Sequence, residues 1–519
     1  MDFDQQKLEI WVFLFIVSLC ISSLLKSLHD FFFPKLNLPP VPAAFPLIGN
    51  LHWLGTSFAD LEPILRNLHA KYGPIVTLRI GSRPAIFISA NSLAHQALVQ
   101  NGVVFPDRPA ALPASRVMSS NQRNINSSPY GPTWRLLCRN LTAEILHSSR
   151  VRSYSHARKW VLEILVSRLR GHSDGFVPVR KMDQFQYAMF CLLVLMCFGD
   201  KLEEKQIQEI EMIQRKLLLA FSGLNRLDLW PRMGKILFQK RWEERLNLRK
   251  DQEAILLPYI RARQRLKQET QNKQEDNSSS SSSSKDYVLS YVDTLLDRQL
   301  PEEKRKLNEG EMVTMCSEFL SAGTDTTSTA LQWIMANLVK APYIQARLFE
   351  EISWVVGEGE EEVKEEDLQK MPCLKAVVLE GLRRHPPGHF VLPHSWAHMA
   401  QSQHDLPKNA TVNFSVSNMN WNPTIWEDPM EFKPERFLNS NGDGDHADEG
   451  KAFDITGSRK IKMMPFGAGR RICPGYGLAM LHLEYFKAVE GDEVDLSGKL
   501  EFTIVMKNPL QVHLSPRLK

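Results

Sequence analysis

One short segment near the carboxyl end combines residue types that can bind a metal ion. It reads FGAGRRICPG over residues 466–475 and follows the pattern F-x-x-G-x-R-x-C-x-G. Gly469 and Gly475 permit a tight loop with φ values closed to other residues, so backbone N–H groups can point at the sulfur of Cys473. Hydrogen bonds of this kind tune a thiolate–iron bond. The segment therefore predicts that Cys473 is the axial ligand of a haem iron; the alternative is a buried structural thiol.

Two neighbours of this cysteine have the chemistry that a haem pocket needs. Arg471 carries a planar guanidinium that can pair with a haem propionate. Phe466 can pack beside the thiolate and shield it from water. With Gly469 and Gly475, these two residues form the predicted cofactor-binding set of the segment.

A long helix is predicted upstream, over residues 308–340. Asn308 and Glu311 form a capping-box pattern at its start, and Pro342 would stop it. About thirty residues at 1.5 Å each would span most of a domain. The central run AGTDTT at 322–327 places glycine and threonine where helix propensity disfavours them, which often marks function. The alternative is a threonine-rich helix whose hydroxyls bond to the preceding turn.

Two charged motifs lie between this helix and the cysteine segment. Glu380 and Arg383, in the pattern E-x-x-R, are three residues apart and would share a helix face, where they can pair. Arg436 follows in the sequence PERF at 434–437. Taken alone, E-x-x-R usually indicates a solvated ion pair.

These motifs, in this order, resemble those of the cytochrome P450 superfamily, and the resemblance covers essentially the whole chain. The sequences YGPTWR at 130–135 and PPGHFVLPH at 386–394 are similar to the plant microsomal A-type members. The resemblance implies a mainly α fold with small β-sheets and an N-terminal membrane anchor. It also implies that haem lies between the long helix and the cysteine loop.

The resemblance implies a reaction and roles for particular residues. The reaction is monooxygenation of a small hydrophobic organic substrate, with electrons from an NADPH-dependent flavoprotein reductase. Asp325 and Thr326 are implied as catalytic residues that relay protons, in a stretch that distorts over the haem, and Trp134 as a further haem contact. The residues implied to form a structural ion cluster that supports the haem pocket are Glu380, Arg383 and Arg436.

Further expectations concern the substrate and the reductase. By the same resemblance, residues 105–126 form a variable loop over the haem, while Phe319, Ala322 and residues 389–391 face the substrate. Their apolar character favours a hydrophobic or amphipathic small molecule. The basic residues near the cysteine loop that would form a reductase-docking patch are Lys460, Lys462 and Arg470. The alternative for these three is an ordinary solvated loop.

Composition narrows the function classes. The chain has 63 Lys and Arg against 59 Asp and Glu, and its net charge of +4 is interleaved along the sequence. A charge distribution without a basic patch does not indicate nucleic-acid binding. Seven cysteines without a CxxC pair favour a reducing compartment over a disulfide framework.

The N-terminus is apolar enough to cross a membrane. No charged residue occurs from Ile10 to Leu25, a stretch that approaches the minimum for a spanning helix. A cleaved signal peptide would require a small-residue cleavage site, and none follows, so an uncleaved anchor is predicted over residues 1–30. Acidic residues precede the span and lysines follow it, which predicts a single pass with a cytosolic catalytic domain. The resemblance implies the endoplasmic reticulum membrane.

Three other segments have distinctive composition. Residues 31–50 are proline-rich and are predicted to form a stiff hinge before a catalytic domain of residues 51–519. Residues 74–90 alternate and are β-branched, which predicts a small hairpin. Residues 271–285 include seven consecutive serines and are predicted to form a disordered surface loop.

Three features depart from the family pattern. Position 138 is a cysteine where the resemblance implies an arginine that contacts a propionate, and Val41 stands where the hinge usually carries glycine. The apolar helix pattern after Cys473 breaks at Lys487, about ten residues early, which should weaken haem retention. An active monooxygenase is the leading hypothesis. A catalytically impaired paralogue and a reductase-independent haem-thiolate isomerase or dehydratase are the alternatives, and the Asp-Thr pair argues against the latter.

Overall fold

Helices dominate the computed structural model. It describes residues 2–32, 39–42, 50, 61–80, 83–170, 179–221, 234–276, 288–357, 363–395, 410–438, 453–485, 498–500, 503–506 and 511–512. The helices are α1 (Asp2–Phe32), α2 (Leu61–Tyr72), α3 (Asn91–His95), α4 (Pro113–Met118), α5 (Pro132–Glu144), α6 (Ser148–Ser153), α7 (Ser155–Arg170), α8 (Lys181–Phe198), α9 (Glu204–Phe221), α10 (Gly234–Leu237), α11 (Gln239–Asp276), α12 (Tyr291–Leu295), α13 (Glu309–Lys340), α14 (Pro342–Val356), α15 (Pro372–Arg384), α16 (Val416–Asn420), α17 (Glu435–Leu438) and α18 (Tyr476–Tyr485). Short π and 3₁₀ turns occupy Gln96–Gln100, Asp367–Lys370 and Gly469–Arg471.

The strands are short and form small sheets. They are β1 (Ile75–Ile80), β2 (Arg83–Ile88), β3 (Val179–Arg180), β4 (Gln299–Leu300), β5 (Arg305–Lys306), β6 (Thr411–Phe414), β7 (Gly498–Leu500), β8 (Ile504–Met506) and β9 (Gln511–Val512). In the three-stranded sheet, β1 pairs antiparallel with β2, and β2 pairs parallel with β6. The hairpin predicted over residues 74–90 is confirmed.

Helix α1 is suited to a lipid environment. Mean hydropathy over Trp11–Leu28 is 2.0 across 18 residues, and none of that window is buried inside the fold. Apolar side chains that no protein surface covers are stabilised by transfer out of water. The helix is therefore compatible with the predicted anchor, and it extends to Phe32, past the predicted boundary at residue 30.

The described parts of the proline-rich hinge lie against the sheet. Pro39 and Pro42 are buried, and the carbonyl oxygen of Pro40 accepts a hydrogen bond of 2.9 Å from the N–H of Thr77 in β1. Asn50 pairs with Arg79 of the same strand through its N–H and its side-chain oxygen. These contacts fix the middle and the last residue of the hinge to the globular body, while residues 33–38 and 43–49 lie outside the described residues.

The long helix is confirmed with its predicted limits. The Asn308 side chain accepts from the N–H of Glu311 at 2.8 Å, and the Glu311 carboxylate accepts from the N–H of Asn308 at 2.9 Å. This reciprocal capping box starts α13, and Pro342 begins the next helix. Almost every residue of α8 from Phe185 to Phe198 is buried, and this helix packs along α13 in the main core.

Two boundary predictions meet different outcomes. The loop predicted to begin at Gln271 was placed too early, because α11 continues as a helix to Asp276. Residues 271–276 contain Gln, Lys and Glu, which favour helix and need no buried face to extend an existing one. The serine run itself lies outside the described residues. The predicted early end of the helix after Cys473 also falls there, since α18 is described to Tyr485 and residues 486–497 are not.

Candidate active site

The cysteine segment forms a loop that places hydrogen-bond donors around a half-buried sulfur. The N–H of Cys473 donates to the carbonyl oxygen of Phe466 at 2.9 Å, which closes the loop. The N–H of Gly475 points at the sulfur. Burial raises the pKa of the Cys473 thiol, and the hydrogen bond from Gly475 opposes that shift. An enclosed sulfur with a backbone donor is the arrangement that suits a thiolate bound to a cation.

Glycine is required in this loop at two positions, of which the sequence predicted one. Gly469 has φ +69° and Gly467 has φ +73°, both in the left-handed region. A Cβ on Gly469 would also collide with the carbonyl oxygen of Leu98. The φ expected for Gly475 was wrong, since its backbone lies outside the left-handed region. There, a Cβ would lie 3.9 Å from the sulfur of Cys473, so this position lines the ligand atom.

Arg471 and Trp134 meet beside this loop. The guanidinium carbon of Arg471 lies 4.3 Å from the Trp134 ring centroid, a cation–π distance. Arg471 donates to the carbonyl oxygens of Pro106 at 2.7 Å, Ile125 at 3.2 Å and Ser128 at 2.6 Å. The structure therefore brings two of the predicted cofactor-binding side chains together. Phe466 is half-buried nearby, with its ring 6.3 Å from that of Tyr476.

Two further basic groups lie close to Arg471, and sequence reasoning missed both. Arg108 donates to the carbonyl oxygens of Asn126, Leu392 and Pro393. Burial and, to a smaller extent, the positive charge of Arg471 lower the pKa of Arg108 to about 9, while the charge of Glu318 opposes the shift. Burial likewise lowers the pKa of His394 to about 3, with Arg108 and Arg471 adding repulsion. Arg108 lies in the predicted loop of residues 105–126, and His394 ends the PPGHFVLPH run. Their positions in these two segments were the only sequence signal that could have pointed to them.

This set of side chains fits haem. Burial lowers the pKa of Arg471 to about 10, while Asp107 opposes the shift. Enclosed cations that repel one another are stabilised by an anion within hydrogen-bond reach. Carboxylates such as haem propionates match the planar donors of Arg108 and Arg471. The thiol of Cys473 supplies the soft ligand that iron accepts.

Position 138 places a thiol next to this basic cluster. Cys138 is half-buried on α5, where burial raises the pKa of its thiol, and the charge of Arg471 lowers it. The next residue, Arg139, is exposed. Arg139 therefore does not replace the arginine that the family resemblance implies at position 138. Arg108 supplies a half-buried guanidinium in the same region instead.

The middle of α13 is a continuous α-helix, so the distortion implied by the resemblance was wrong for this structure. The hydroxyl of Thr326 donates to the carbonyl oxygen of Ala322 at 2.7 Å, as the alternative interpretation expected. Gly323 has a packing reason: a Cβ there would lie 2.8 Å from Leu193 of α8. Ala322 is nonetheless exposed and Thr326 half-exposed, although neighbouring residues of this helix are buried.

Asp325 is buried and joins several elements. Its carboxylate accepts from the amide of Gln186 at 3.1 Å and from the hydroxyl of Thr503 at 2.9 Å. The guanidinium of Arg215 lies 3.9 Å away and its side chain is 41% exposed. A polar path thus runs from an exposed side chain on α9 to the centre of the long helix.

The charged motifs come together as predicted. Arg383 donates to both oxygens of Glu380 at 2.7 and 2.8 Å, and both side chains are fully buried. Arg436 lies 3.5 Å from Glu380. Arg383 also donates to the carbonyl oxygens of Asn420 and Pro429, which ties α15 to the following loop. This geometry is that of a buried structural cluster and not of a solvated ion pair.

Of the residues expected near the substrate, only some are placed for that role. Ala322 is exposed, whereas Phe319 is buried in the main core with its ring 5.1 Å from that of Tyr291. Phe390 packs edge-on against Phe87 at 5.7 Å. Phe319 and Phe390 therefore serve packing first, because their rings already have protein partners.

The comparisons with known proteins decide the family. The Cytochrome P450 family model matches residues 39–488. The chain belongs to the cytochrome P450 family. The protein named Cytochrome P450 89A9 of Arabidopsis thaliana is 48% identical over 537 aligned positions, covering 98% of this chain and 99% of that one. Salviol synthase of Salvia pomifera is 29% identical, covering 86% of this chain and 83% of the synthase.

This P450 also matches solved structures. A zebra fish cytochrome P450 with abiraterone superposes with a TM-score of 0.66 at 21% identity, covering 88% of this chain and 100% of the other. That likeness supports the fold. Family membership and the 48% identical relative identify an A-type P450 monooxygenase, an oxidoreductase. The family match ends at residue 488, next to the point where the apolar pattern breaks.

Proposed function

We propose that this P450 is a haem-thiolate monooxygenase of the endoplasmic reticulum membrane, with its catalytic domain in the cytosol. It inserts one oxygen atom into a small hydrophobic organic molecule, using electrons from an NADPH-dependent flavoprotein reductase. The observation that carries the proposal is the pairing of two features. These are the sulfur of Cys473 under the N–H of Gly475, and the half-buried guanidinium groups of Arg108 and Arg471 nearby, next to the buried, neutral imidazole of His394.

The chain's own residues divide the work of holding the cofactor. Cys473 would bind the iron, and Arg108 and Arg471 would hold the propionates, with the ring of Trp134 beside them. When bound, haem supplies the activation of molecular oxygen, and a thiolate ligand favours cleavage of the O–O bond. The N–H of Gly475 stabilises negative charge on the sulfur, which offsets part of the cost of burying a thiolate.

Proton supply falls to Asp325 and Thr326. Asp325 is held by Gln186 and Thr503, so its carboxylate keeps one orientation on α13. The guanidinium of Arg215, 41% exposed, lies 3.9 Å from this carboxylate, so only one side chain separates Asp325 from solvent on this side. Thr326 donates its own hydrogen to Ala322, which leaves its oxygen lone pairs to accept a hydrogen bond from water or substrate. Thr326 and Asp325 are therefore the two side chains proposed to supply protons by general acid catalysis.

Membrane attachment and reductase docking use separate surfaces. Helix α1 is uncovered over its apolar window and inserts in the bilayer, the phase into which hydrophobic substrates partition. Lys460 and Arg470 are exposed, and Lys462 is half-exposed, on the loop that leads to Cys473. Cations on this loop attract an acidic surface of the reductase. Docking here would bring the reductase close to Cys473, so electrons would have a short distance to travel.

The deciding experiment is the carbon-monoxide difference spectrum of membranes that contain the full chain. We expect the strongly red-shifted Soret band of a thiolate-ligated haem, its loss in Cys473→Ala, and its retention in the control Cys20→Ala. Substrate turnover should then require NADPH, the reductase and oxygen together. A band at the position of a neutral-ligand haem would contradict the thiolate assignment.

Cys138 favours a second candidate, a catalytically impaired P450. Its thiol lies where the resemblance implies a charged donor to a propionate, and a thiol is a weak donor. This candidate predicts substoichiometric haem in the purified protein. Haem at one equivalent per chain, with NADPH-dependent turnover, would exclude it.

A further inference from the structure

The carboxylate of Glu318, a half-buried residue on α13, has a specific pair of backbone partners. One oxygen accepts from the N–H of Ile125 at 2.8 Å and the other from the N–H of Asn126 at 2.7 Å. Both donors belong to the loop of residues 105–126. Hydrogen bonds from neutral donors to a carboxylate are stronger than those between neutral groups. Glu318 therefore fixes this end of the loop to the long helix.

The same peptide unit connects Glu318 to the cofactor-binding residues. The carbonyl oxygen of Ile125 accepts from the indole N–H of Trp134 and from the guanidinium of Arg471, each at 3.2 Å. The N–H of Ile125 thus donates to the carboxylate of Glu318, and its carbonyl oxygen accepts from Trp134 and Arg471, the two predicted haem contacts. A shift of this residue would move both contacts, because each uses the same oxygen.

Backbone strain shows that the loop is held in place by its surroundings. Ser120, Asn121 and Gln122 have φ values of 47°, 57° and 64° in succession. Such values are costly for residues that carry a Cβ and persist only where other contacts impose them. The hydroxyl of Ser120 donates to the carbonyl oxygen of Gly310 at 3.1 Å, a second attachment to α13. Two anchor points on one helix therefore bracket the segment between residues 120 and 126.

We propose that Glu318 is a positioning residue for the cofactor pocket: its carboxylate holds Ile125 and Asn126, and through Ile125 it sets the places of Arg471 and Trp134. This proposal rests on the proposed function, because it assigns Glu318 to the same haem site. Glu318 does not touch the reacting atoms. Its effect passes through one peptide unit, so it should alter haem retention and loop dynamics before it alters the chemical step.

The groups around Glu318 set the pKa of its carboxyl group, and therefore whether it accepts both hydrogen bonds. Burial raises the pKa of Glu318 to about 7, while the N–H groups of Ile125 and Asn126 and the charge of Arg108 oppose that shift. The other titratable groups that face it are Cys138 on α5 and Tyr291 on α12. In the ionised form both oxygens accept. Protonation converts one oxygen into a donor, which leaves one of the two N–H groups without its acceptor.

The test uses the full chain with haem in lipid nanodiscs and compares Glu318→Gln with Glu309→Gln. Glu309 is the matched control, since it lies on the same helix but pairs with Arg261 at the surface. Amide exchange of Ile125 and Asn126 should be about tenfold faster in Glu318→Gln and unchanged in the control. Transfer of haem to apomyoglobin should also become several-fold faster in Glu318→Gln, with a shift of the Soret band.

Each outcome decides the proposal. Unchanged exchange in Glu318→Gln overturns it, and so does faster exchange without any change in haem transfer. Glu318→Asp, which keeps the charge but shortens its reach, should give an intermediate exchange rate and covers the case in which Glu318→Gln fails to fold. The exchange measurement does not depend on turnover. A wild-type protein that lacks the thiolate spectrum but shows the exchange difference would overturn the proposed function and the effect on haem, and leave only the attachment of the loop.

Discussion

Arg471 and Trp134 share one acceptor: the guanidinium lies 4.3 Å from the indole centroid, and both groups donate to the carbonyl oxygen of Ile125 at 3.2 Å. A cation held on an aromatic face is oriented before any anion arrives, so less conformational entropy is lost when the anion binds. The stack therefore presents a fixed guanidinium to the cofactor pocket.

Replacing this guanidinium by an ammonium tests its geometry at constant charge. Arg471→Lys keeps the positive charge but loses the planar donors and the stacking on Trp134. We expect haem content per chain to fall several-fold in the purified protein, measured by absorbance after conversion to the pyridine complex. Arg470→Lys is the matched control because Arg470 is adjacent and exposed. Equal losses in both variants would contradict a specific role for Arg471.

Cys138→Arg tests the departure from the family pattern. Cys138 lies beside Arg471 and near the carboxylate of Glu318. An arginine there adds a donor for a propionate, and Glu318 offsets part of the added charge. We expect haem transfer to apomyoglobin to slow several-fold, with Cys138→Ser unchanged. Faster haem loss in Cys138→Arg would show that repulsion from Arg108 and Arg471 outweighs the new contact.

The buried pair Glu380–Arg383 is expected to dominate local stability. Both side chains are fully buried and their closest approach is 2.7 Å, so removing one charge leaves the other uncompensated. Breaking such a pair costs about 3–5 kcal/mol of unfolding free energy, against about 0–1 kcal/mol for an exposed one. Urea unfolding of Glu380→Gln should show the larger loss. Asp367→Asn, which breaks a surface i,i+3 pair with Lys370 at 3.1 Å whose side chains are 16% and 65% exposed, should show the smaller. Similar losses in the two variants would argue against the structural cluster.

Asp325→Asn separates proton supply from binding. The amide keeps the size of the carboxylate and an acceptor for Thr503, but it cannot release and regain a proton at neutral pH. We expect turnover to fall by about 10²-fold with little change in substrate affinity, and the solvent isotope effect on turnover to rise. Thr503→Val is the control for lost packing of the carboxylate. A fall in affinity that matches the fall in turnover would instead point to a structural role.

The features that the sequence predicted well are those set by neighbouring residues. The capping box of Asn308 and Glu311, the hairpin of β1 and β2 and the positive φ of Gly469 all follow from local chemistry. The order of the family motifs then located the cysteine loop and the buried Glu380–Arg383 pair without any knowledge of contacts.

The features that the sequence missed depend on tertiary contacts. Arg108 and His394 are far apart along the chain and meet Arg471 only in the folded protein. A glycine is needed at position 323 because Leu193 of another helix packs against it. Helix propensities describe single residues and cannot predict this contact. The start of the serine-rich loop was predicted at Gln271, which is too early. Polar residues after Gln271 continue α11, because extending an existing helix does not require a buried face.

Titration of Glu318 should make the free energy of unfolding depend on pH. Its pKa is about 7 in the folded protein against an ordinary value of 4.5, because burial disfavours the charged form. Between these two values the folded state holds more protons than the unfolded chain. This residue's contribution to the free energy of unfolding therefore falls as pH rises from about 4.5 to about 7, and then stays constant.

Glu318→Gln removes that contribution, because an amide does not titrate in this range. The unfolding midpoint of the wild type relative to Glu318→Gln should therefore decline between pH 5.5 and about 7 and level off above it, as followed by urea unfolding of the holoprotein in nanodiscs. Amide exchange of Ile125 and Asn126, corrected for its intrinsic pH dependence, should accelerate below about pH 7 in the wild type alone. Parallel unfolding profiles in the two proteins would mean that Glu318 keeps its proton, or its charge, throughout this range, and the carboxylate would then act as a fixed contact and not as one that protonation releases.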